Sequence, residues 1–348
     1  MPFFSARPTS AFNVRSRRRE LLPFLTRQII TTGYTAAGYK DGVAWRNVNS
    51  NNHATDTCTN HGDLLQAAAN YTSGAHNKNN AFLWGTNGTG TEGVGAFTNT
   101  SCFNMRNNTT LTKTPAMNTA QTVEDSGTVL EQNLDGEYTY SWQTGNQGAA
   151  VLQKFNLSTE SHLTTIATST SFSQGGTGAG AHMGELFGYF WTEGAAASVD
   201  ANGNAGKLKF VYATETQSIP GGNPSFHGQQ KGLSSKVGKG YAGNEGSYNG
   251  GNNYRVWNYT TESVQTTVAK PITNYGEENF VTGQSKGYQL GGYGGDGQTN
   301  RSHVFTYATN SGVELGASGQ PTGTQSGTGS AAGSPIGGRS SGHGFWRD

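Results

Sequence analysis

The sequence predicts an all-β protein made of repeated units, and three observations lead to this prediction. First, the chain of 348 residues contains 52 Gly, 15 Tyr, 16 Phe and 6 Trp, and turns rich in Gly, Asn, Thr and Ser separate its aromatic runs. Second, no stretch has a convincing helical pattern. Third, a short motif recurs about every 50 residues. Charged residues are only 13% of the chain, so the composition also excludes disorder caused by high charge.

The recurring motif is a strand that ends in a polar turn. We take one residue of each turn as its anchor, and the successive anchors lie 52, 52, 55, 47 and 48 residues apart. Such regular spacing indicates repeated structural units. The six anchors are Thr55, Asn107, Thr159, Thr214, Thr261 and Thr309.

A second strand signal, rich in Gly and aromatic residues, precedes each anchor. A polar turn joins the two signals within each repeat, because Gly, Asn and Asp readily supply the positive φ that tight turns need. The six signals are Gly33–Tyr39, Ala81–Gly85, Tyr138–Trp142, Leu186–Trp191, Gly240–Gly243 and Gly287–Tyr293.

A unit of about 50 residues with at least two strands and no helix matches one blade of a β-propeller. A single blade cannot bury both of its faces, whereas neighbours stacked around a ring bury them all. The six anchors therefore predict a six-bladed propeller over residues 30–348, with a seventh, partial blade as the competing count. Near the end of the chain, Phe345 and Trp346 repeat the Gly-aromatic strand signal without a following anchor. We expect them to close the ring by completing a blade that begins near the amino terminus.

Residues 1–29 form a predicted basic arm in front of this body. Residues 1–28 contain six arginines and one acidic residue, Glu20, although the net charge of the whole chain is only +1. A basic cluster followed by an apolar stretch predicts an extended segment that docks on a protein partner. Nucleic acid is a less favoured partner. The predicted partner-binding residues are Arg15, Arg17, Arg18, Arg19, Leu21, Leu22, Phe24 and Leu25.

The search for catalytic chemistry finds no convincing constellation, and we expect no catalytic residues, cofactor or metal. Carboxylates such as Glu124, Asp125, Glu131 and Asp135 are dispersed and fit solvated loop residues better than a glycosidase pair. The stretch 200–204 has oxygen ligands at alternating positions, but a tight hairpin explains it at least as well as a calcium loop does.

Two further expectations concern the thiols and the membrane. Cys58 and Cys102 are expected to be free, with a single bridge as the alternative. No window approaches the 18 apolar residues of a transmembrane helix, so no membrane insertion is expected.

The strand Gly287–Tyr293, its polar turn and the following Phe305–Thr309 resemble kelch-type propeller repeats. The endings Tyr212–Thr216 and Phe155–Glu160 are similar to those of repetitive structural proteins of tailed bacteriophages, particularly cyanobacterial phages. The resemblance covers roughly residues 30–348 as a style of repeat, through short motifs. Regular Gly-Gly pairs and a fixed Trp in every blade are absent from this chain.

This resemblance implies a non-enzymatic virion protein of the neck or tail, assembled in the host cytoplasm. Its partners would be portal, neck or tail components, reached through the basic arm. The alternative is a tail module that binds a receptor or a host-surface glycan, with Trp45 or Tyr248 stacking on sugar rings. An enzyme acting on polysaccharide is a third and less favoured interpretation.

Overall fold

In the computed structural model, almost all regular secondary structure of the described residues is β-strand. One 3-10 turn, Ala317–Gly319, is the only helical element in the described part, which contains no α-helix. The all-β prediction is therefore confirmed. The described residues are 32–36, 39–40, 43–44, 46–65, 69–76, 79–87, 100–111, 123–129, 138–145, 151–167, 179–183, 187–192, 207–218, 232–235, 239–243, 253–271, 275–276, 279–282, 285–294, 297–320 and 334–336.

The described strands form six antiparallel sheets of four or five strands and one small hairpin, and within most sheets neighbouring strands pair in a simple succession. The first sheet is β27 (Ser334–Ile336), β1 (Thr32–Ala36), β4 (Asn47–Asn52) and β5 (Thr57–Asp63). The second is β6 (Ala69–His76), β7 (Asn80–Asn87), β8 (Thr100–Asn104) and β9 (Thr109–Thr110). The third is β10 (Val123–Val129), β11 (Tyr138–Gly145), β12 (Val151–Asn156) and β13 (Ser161–Ala167).

The remaining sheets follow the same order. The fourth is β14 (Ala179–Met183), β15 (Phe187–Thr192), β16 (Lys207–Val211) and β17 (Thr216–Ser218). The fifth is β18 (Gly232–Ser235), β19 (Lys239–Gly243), β20 (Asn253–Asn258) and β21 (Ser263–Ala269). In the sixth, both β22 (Tyr275–Gly276) and β23 (Asn279–Thr282) pair with β24 (Lys286–Gly294), which is followed by β25 (Gly297–Thr306) and β26 (Ser311–Glu314). A small hairpin, β2 (Tyr39–Lys40) with β3 (Val43–Ala44), lies between β1 and β4.

Each predicted anchor lies in the tight turn between the third and fourth strands of its sheet. The residue after each anchor has a left-handed backbone, with φ between 48° and 56°. In the first turn, Asn52 Oδ1 accepts hydrogen bonds from the backbone N–H groups of Ala54 and Thr55. Such a side-chain turn stabilises the bend locally, and the same bonds recur at Asn104, Asn156 and Asn258. The left-handed residues are Asp56, Asn108, Glu160, Glu215, Glu262 and Asn310.

Aromatic rings pack between successive sheets and form much of the core. An aromatic residue near the start of each second strand meets an aromatic on the third strand of the next sheet at five contacts. The ring centroids lie 4.6 Å apart for Tyr140 and Phe210, and 6.3 Å apart for Tyr189 and Trp257. The sheets therefore bury their faces against one another. The other three pairs are Tyr34–Phe103, Phe82–Phe155 and Tyr241–Phe305.

The first sheet combines strands from both ends of the described chain. β27 pairs with β1, with Tyr34 opposite Ile336 and Ala36 opposite Ser334. The predicted closing residues, Phe345 and Trp346, lie outside the described residues. One edge strand of each sheet also contacts that of the next: β6 with β10, β10 with β14, β14 with β18, β18 with β23, β23 with β27, and β27 with β6.

Candidate functional site

A hydrogen bond from the second strand of one sheet to the anchor turn of the next recurs at all six contacts, and we call this bond the latch. Five latches use a tyrosine hydroxyl, and the second sheet uses the Asn80 amide instead. In sequence order, the bonds run from Tyr34 to the Met105 carbonyl (2.6 Å), Asn80 to Glu160 (2.7 Å), Tyr140 to Glu215 (2.8 Å), Tyr189 to Glu262 (3.3 Å), Tyr241 to Asn310 (3.1 Å) and Tyr288 to Asp56 (2.7 Å).

Among the described residues, an ion pair joins the latch at three of the contacts. Lys154 pairs with Glu215 and Lys209 with Glu262, while the Lys286 Nζ lies 2.8 Å from an Asp56 carboxylate oxygen. Each lysine comes from the same sheet as the latching tyrosine. Such charge-assisted hydrogen bonds are stronger than neutral ones.

The third latch lowers the pKa of its carboxyl group, which belongs to Glu215. Partial burial acts to raise the pKa of Glu215, but hydrogen bonds from Lys154 and Tyr140, together with the lysine charge, lower the pKa below its ordinary value. The Lys154 Nζ also lies 3.9 Å from the centroid of the Tyr138 ring, a cation–π contact. The latch therefore favours the charged carboxylate.

The contact between the sixth and first sheets differs from the other five, and we call it the seam. Asn51 stands where the other third strands carry Phe or Trp. The Tyr288 ring instead stacks on His53, with centroids 4.6 Å apart. Tyr34 and Val48 of the first sheet pack with Phe103 on the second sheet. Because side chains alternate along a strand, the buried Asn47, Asn49 and Asn51 point to the other side, toward the seam.

A second polar group lies buried between the fifth and sixth sheets. The Tyr254 hydroxyl contacts both Gln289 Oε1 and His303 Nε2. Complete burial lowers the pKa of His303 to about 3, so the imidazole is neutral at physiological pH. The Lys270 Nζ lies 5.4 Å from the Tyr254 ring centroid. His303 therefore takes part in this group as an uncharged hydrogen-bond partner.

Most residues predicted from sequence to carry function fall outside the described residues. These are all eight partner-binding residues of the arm, the alternative sugar-stacking residues Trp45 and Tyr248, the stretch 200–204, and the carboxylates Glu131 and Asp135. The two carboxylates that are placed, Glu124 and Asp125, lie in β10. The predicted docking site therefore stays a prediction.

The described residues also bear on the thiols, on metal binding and on membrane spans. Cys58 and Cys102 are free thiols, as expected. Within the described ranges, no group of three or more His, Cys, Asp and Glu side chains is arranged to hold a metal ion. None of the helical structure described is long and apolar enough to cross a membrane.

Sequence reasoning missed the latches, although a signal for them was present. Five of the six second strands carry Tyr in the same register, and four of the six residues that follow the anchors are acidic. Alignment of the repeats would have marked both positions.

The chain matches no protein-family model, and no curated protein matches it with significant similarity.

Proposed function

We propose that the six sheets close into a six-bladed, kelch-like β-propeller, and that this propeller is a non-enzymatic structural protein of a tailed-phage particle. Residues 1–29 would attach it to portal, neck or tail components. The observation that carries the proposal is the latch from Tyr288 of the sixth sheet to Asp56 of the first.

Ring closure is supported by the direction of the latches. Each second strand reaches the turn of the next sheet, typically 69 to 80 residues further along the chain. At the seam the same bond runs backwards over 232 residues. A row of sheets with two free ends would leave the Asp56 turn without this bond, whereas a ring supplies it. The succession of contacts among the edge strands, which returns from β27 to β6, is also expected of a ring.

A structural role is supported by the contacts that the charged groups make between neighbouring sheets. Asp56, Glu215 and Glu262 are each held by a tyrosine and a lysine of the neighbouring sheet. Groups arranged in this way hold sheets together, whereas an active site would present them to a substrate in a cleft. The exposed tips of five turns carry only Ala, Ser and Thr. These tips therefore present no charged or aromatic side chain to a substrate.

The assignment to a phage particle rests on the resemblance of the repeats and on the basic arm. Its test is mass spectrometry of purified virions from a host that expresses either the full chain or a chain lacking residues 1–29. We expect the full chain in the particles. The shortened chain should fold with the same thermal unfolding midpoint but be absent from the particles.

Two substituted chains separate the parts of the arm. One replaces Arg15, Arg17, Arg18 and Arg19 by Ala, and the other replaces Leu21, Leu22, Phe24 and Leu25 by Ser. Both should reduce incorporation, because the proposed docking uses the charges and the apolar side chains together. Normal incorporation of the chain without residues 1–29 would show that the propeller itself makes the attachment. Absence of the full chain from particles would overturn the virion role.

A further inference from the structure

The geometry points to the seam between the sixth and first sheets as the place where the ring opens reversibly. The inference rests on the ring closure proposed above and adds a site of local opening to it. The missing third-strand aromatic side chain distinguishes this contact from the other five. Buried polar atoms without partners and a latch that concentrates its bonds on Asp56 add to that difference.

The missing aromatic is at Asn51. At the other five contacts, Phe or Trp on the third strand packs against the aromatic residue of the preceding sheet. Burial of a large aromatic ring is a major stabilising contribution to a contact between sheets. Asn51 is equally buried, with only 1% of its surface exposed, but contributes little apolar area.

Unpaired polar atoms weaken the seam further. Among the described residues, the Asn51 Oδ1 and Nδ2, the Asn47 Oδ1 and the Thr35 Oγ1 have no hydrogen-bond partner although they are buried. A buried polar atom without a partner destabilises the closed state, and water would satisfy it once the sheets separate. The seam therefore gains hydration on opening, whereas an aromatic contact would lose apolar burial.

Asp56 supplies the charge-assisted bonds at the seam, beside the contact of Tyr288 with His53. Its carboxylate accepts hydrogen bonds from Tyr288 and Lys286, at 2.7 to 2.9 Å. Its carbonyl oxygen lies against Gly319 in the 3-10 turn that follows the sixth sheet. Loss of the Asp56 side chain would consequently remove the tyrosine and lysine bonds of this latch at once.

Cys58, which is half-buried in the closed state, is a native reporter of the opening through the change in its reactivity. It lies directly opposite Asn51 in the pairing of β4 with β5, so both side chains share the face that points to the seam. Burial raises the pKa of its thiol to about 12, so the thiolate that reacts with disulfide reagents is scarce in the closed state. Cys102 serves as the internal control, because it is buried with Phe82 and Phe155 between the second and third sheets.

The experiment measures the labelling rates of Cys58 and Cys102 by an aromatic disulfide reagent at pH 8, with peptide mapping. The variant is Asp56→Gly and its matched control is Glu262→Gly, at the same turn position between the fourth and fifth sheets. Both positions have a left-handed backbone that glycine adopts readily, so neither substitution strains the turn.

We expect Cys58 to react faster than Cys102 in the unaltered chain. Asp56→Gly should raise the Cys58 rate on the order of tenfold, because it removes charge-assisted hydrogen bonds. Glu262→Gly should change that rate less than about threefold, because the Trp257 contact keeps the fourth and fifth sheets together. Asn51→Leu should slow Cys58 labelling, since it replaces unpaired polar atoms with apolar ones.

The possible results distinguish a failure of local opening at the seam from a failure of ring closure. Equal rates for Cys58 and Cys102, raised equally by both glycine variants, would show opening by global unfolding and would overturn the seam. Cys58 reactivity equal to that of a free thiol, unchanged by Asp56→Gly while Cys102 stays protected, would show that the sixth and first sheets do not close at all. That result would overturn the ring itself.

Discussion

The titration of His303 should be visible in the stability of the protein. Its folded pKa of about 3 lies far below the ordinary value of 6.5, so the unfolded chain binds more protons between these two pH values. Stability is therefore greatest above pH 6.5 and falls as the pH is lowered toward 3. Between pH 7.5 and 5 we expect His303 alone to account for a loss of about 2 kcal/mol in unfolding free energy. Urea unfolding at the two pH values measures it.

The test variant is His303→Gln, because Gln153 stands buried at the same position of the third sheet. This variant should lose less stability on acidification than the unaltered chain. His61→Gln is the control: partial burial also lowers the pKa of His61, but this ring is less buried, so its effect should be smaller. Equal pH dependence of the unaltered chain and His303→Gln would contradict the burial of a neutral imidazole.

At the scale of an element, the latch should be measurable as a coupling between two strands of different sheets. Tyr140→Phe removes the hydroxyl that donates to Glu215, and Phe82 shows that the same position accepts phenylalanine. We expect a loss of about 1–3 kcal/mol near neutral pH. A double-mutant cycle with Glu215→Gln should give a coupling of at least about 0.5 kcal/mol. Since the pKa of Glu215 is lowered, its contribution is present above the ordinary carboxyl pKa and is lost in acid. Additive effects would show that the bond contributes nothing.

The 3-10 turn gives a second prediction at the element scale. A Cβ added at Gly319 would lie 2.7 Å from the Asp56 carbonyl oxygen, whereas one at Gly316 would meet nothing within 4 Å. Gly319→Ala should therefore destabilise the protein by about 1–3 kcal/mol, and Gly316→Ala should be close to neutral. Thermal unfolding midpoints compare the two. Equal midpoints would show that the turn does not pack on Asp56.

At the scale of the whole molecule, two truncations locate the strand that completes the first sheet. A chain ending at residue 341 keeps β27 but loses Phe345 and Trp346, whereas a chain ending at 333 loses all three. Because β27 pairs with β1, we expect the main loss of stability, several kcal/mol, only with the shorter chain. Denaturant unfolding of both chains measures how much stability each truncation removes. If the chain ending at 341 is already as unstable as the shorter one, closure depends on Phe345 and Trp346.

Sequence reasoning reached the repeats but not the contacts between them. The anchors were found because each turn is local: Asn156 Oδ1, for example, binds the backbone two and three residues ahead. Five of the latches join residues about 70 to 80 positions apart and the sixth joins residues 232 apart, and no local pattern indicates which side of a strand meets the next sheet. β27 was missed because its three residues lie in a Gly- and Ser-rich stretch without a strand signal. Asn51 was missed because one polar residue does not alter the period of the repeat.

The direction of the latches has a consequence for the cooperativity of unfolding. In an open repeat array, the terminal units have one neighbour each and fray first, so unfolding proceeds inward from two ends. In the proposed ring every unit holds the next one and the last holds the first, so all six units have two neighbours. Such a ring has no ends until one contact breaks. Breaking that contact creates both ends at once, and the equilibrium population of partly unfolded forms is therefore governed by a single interface.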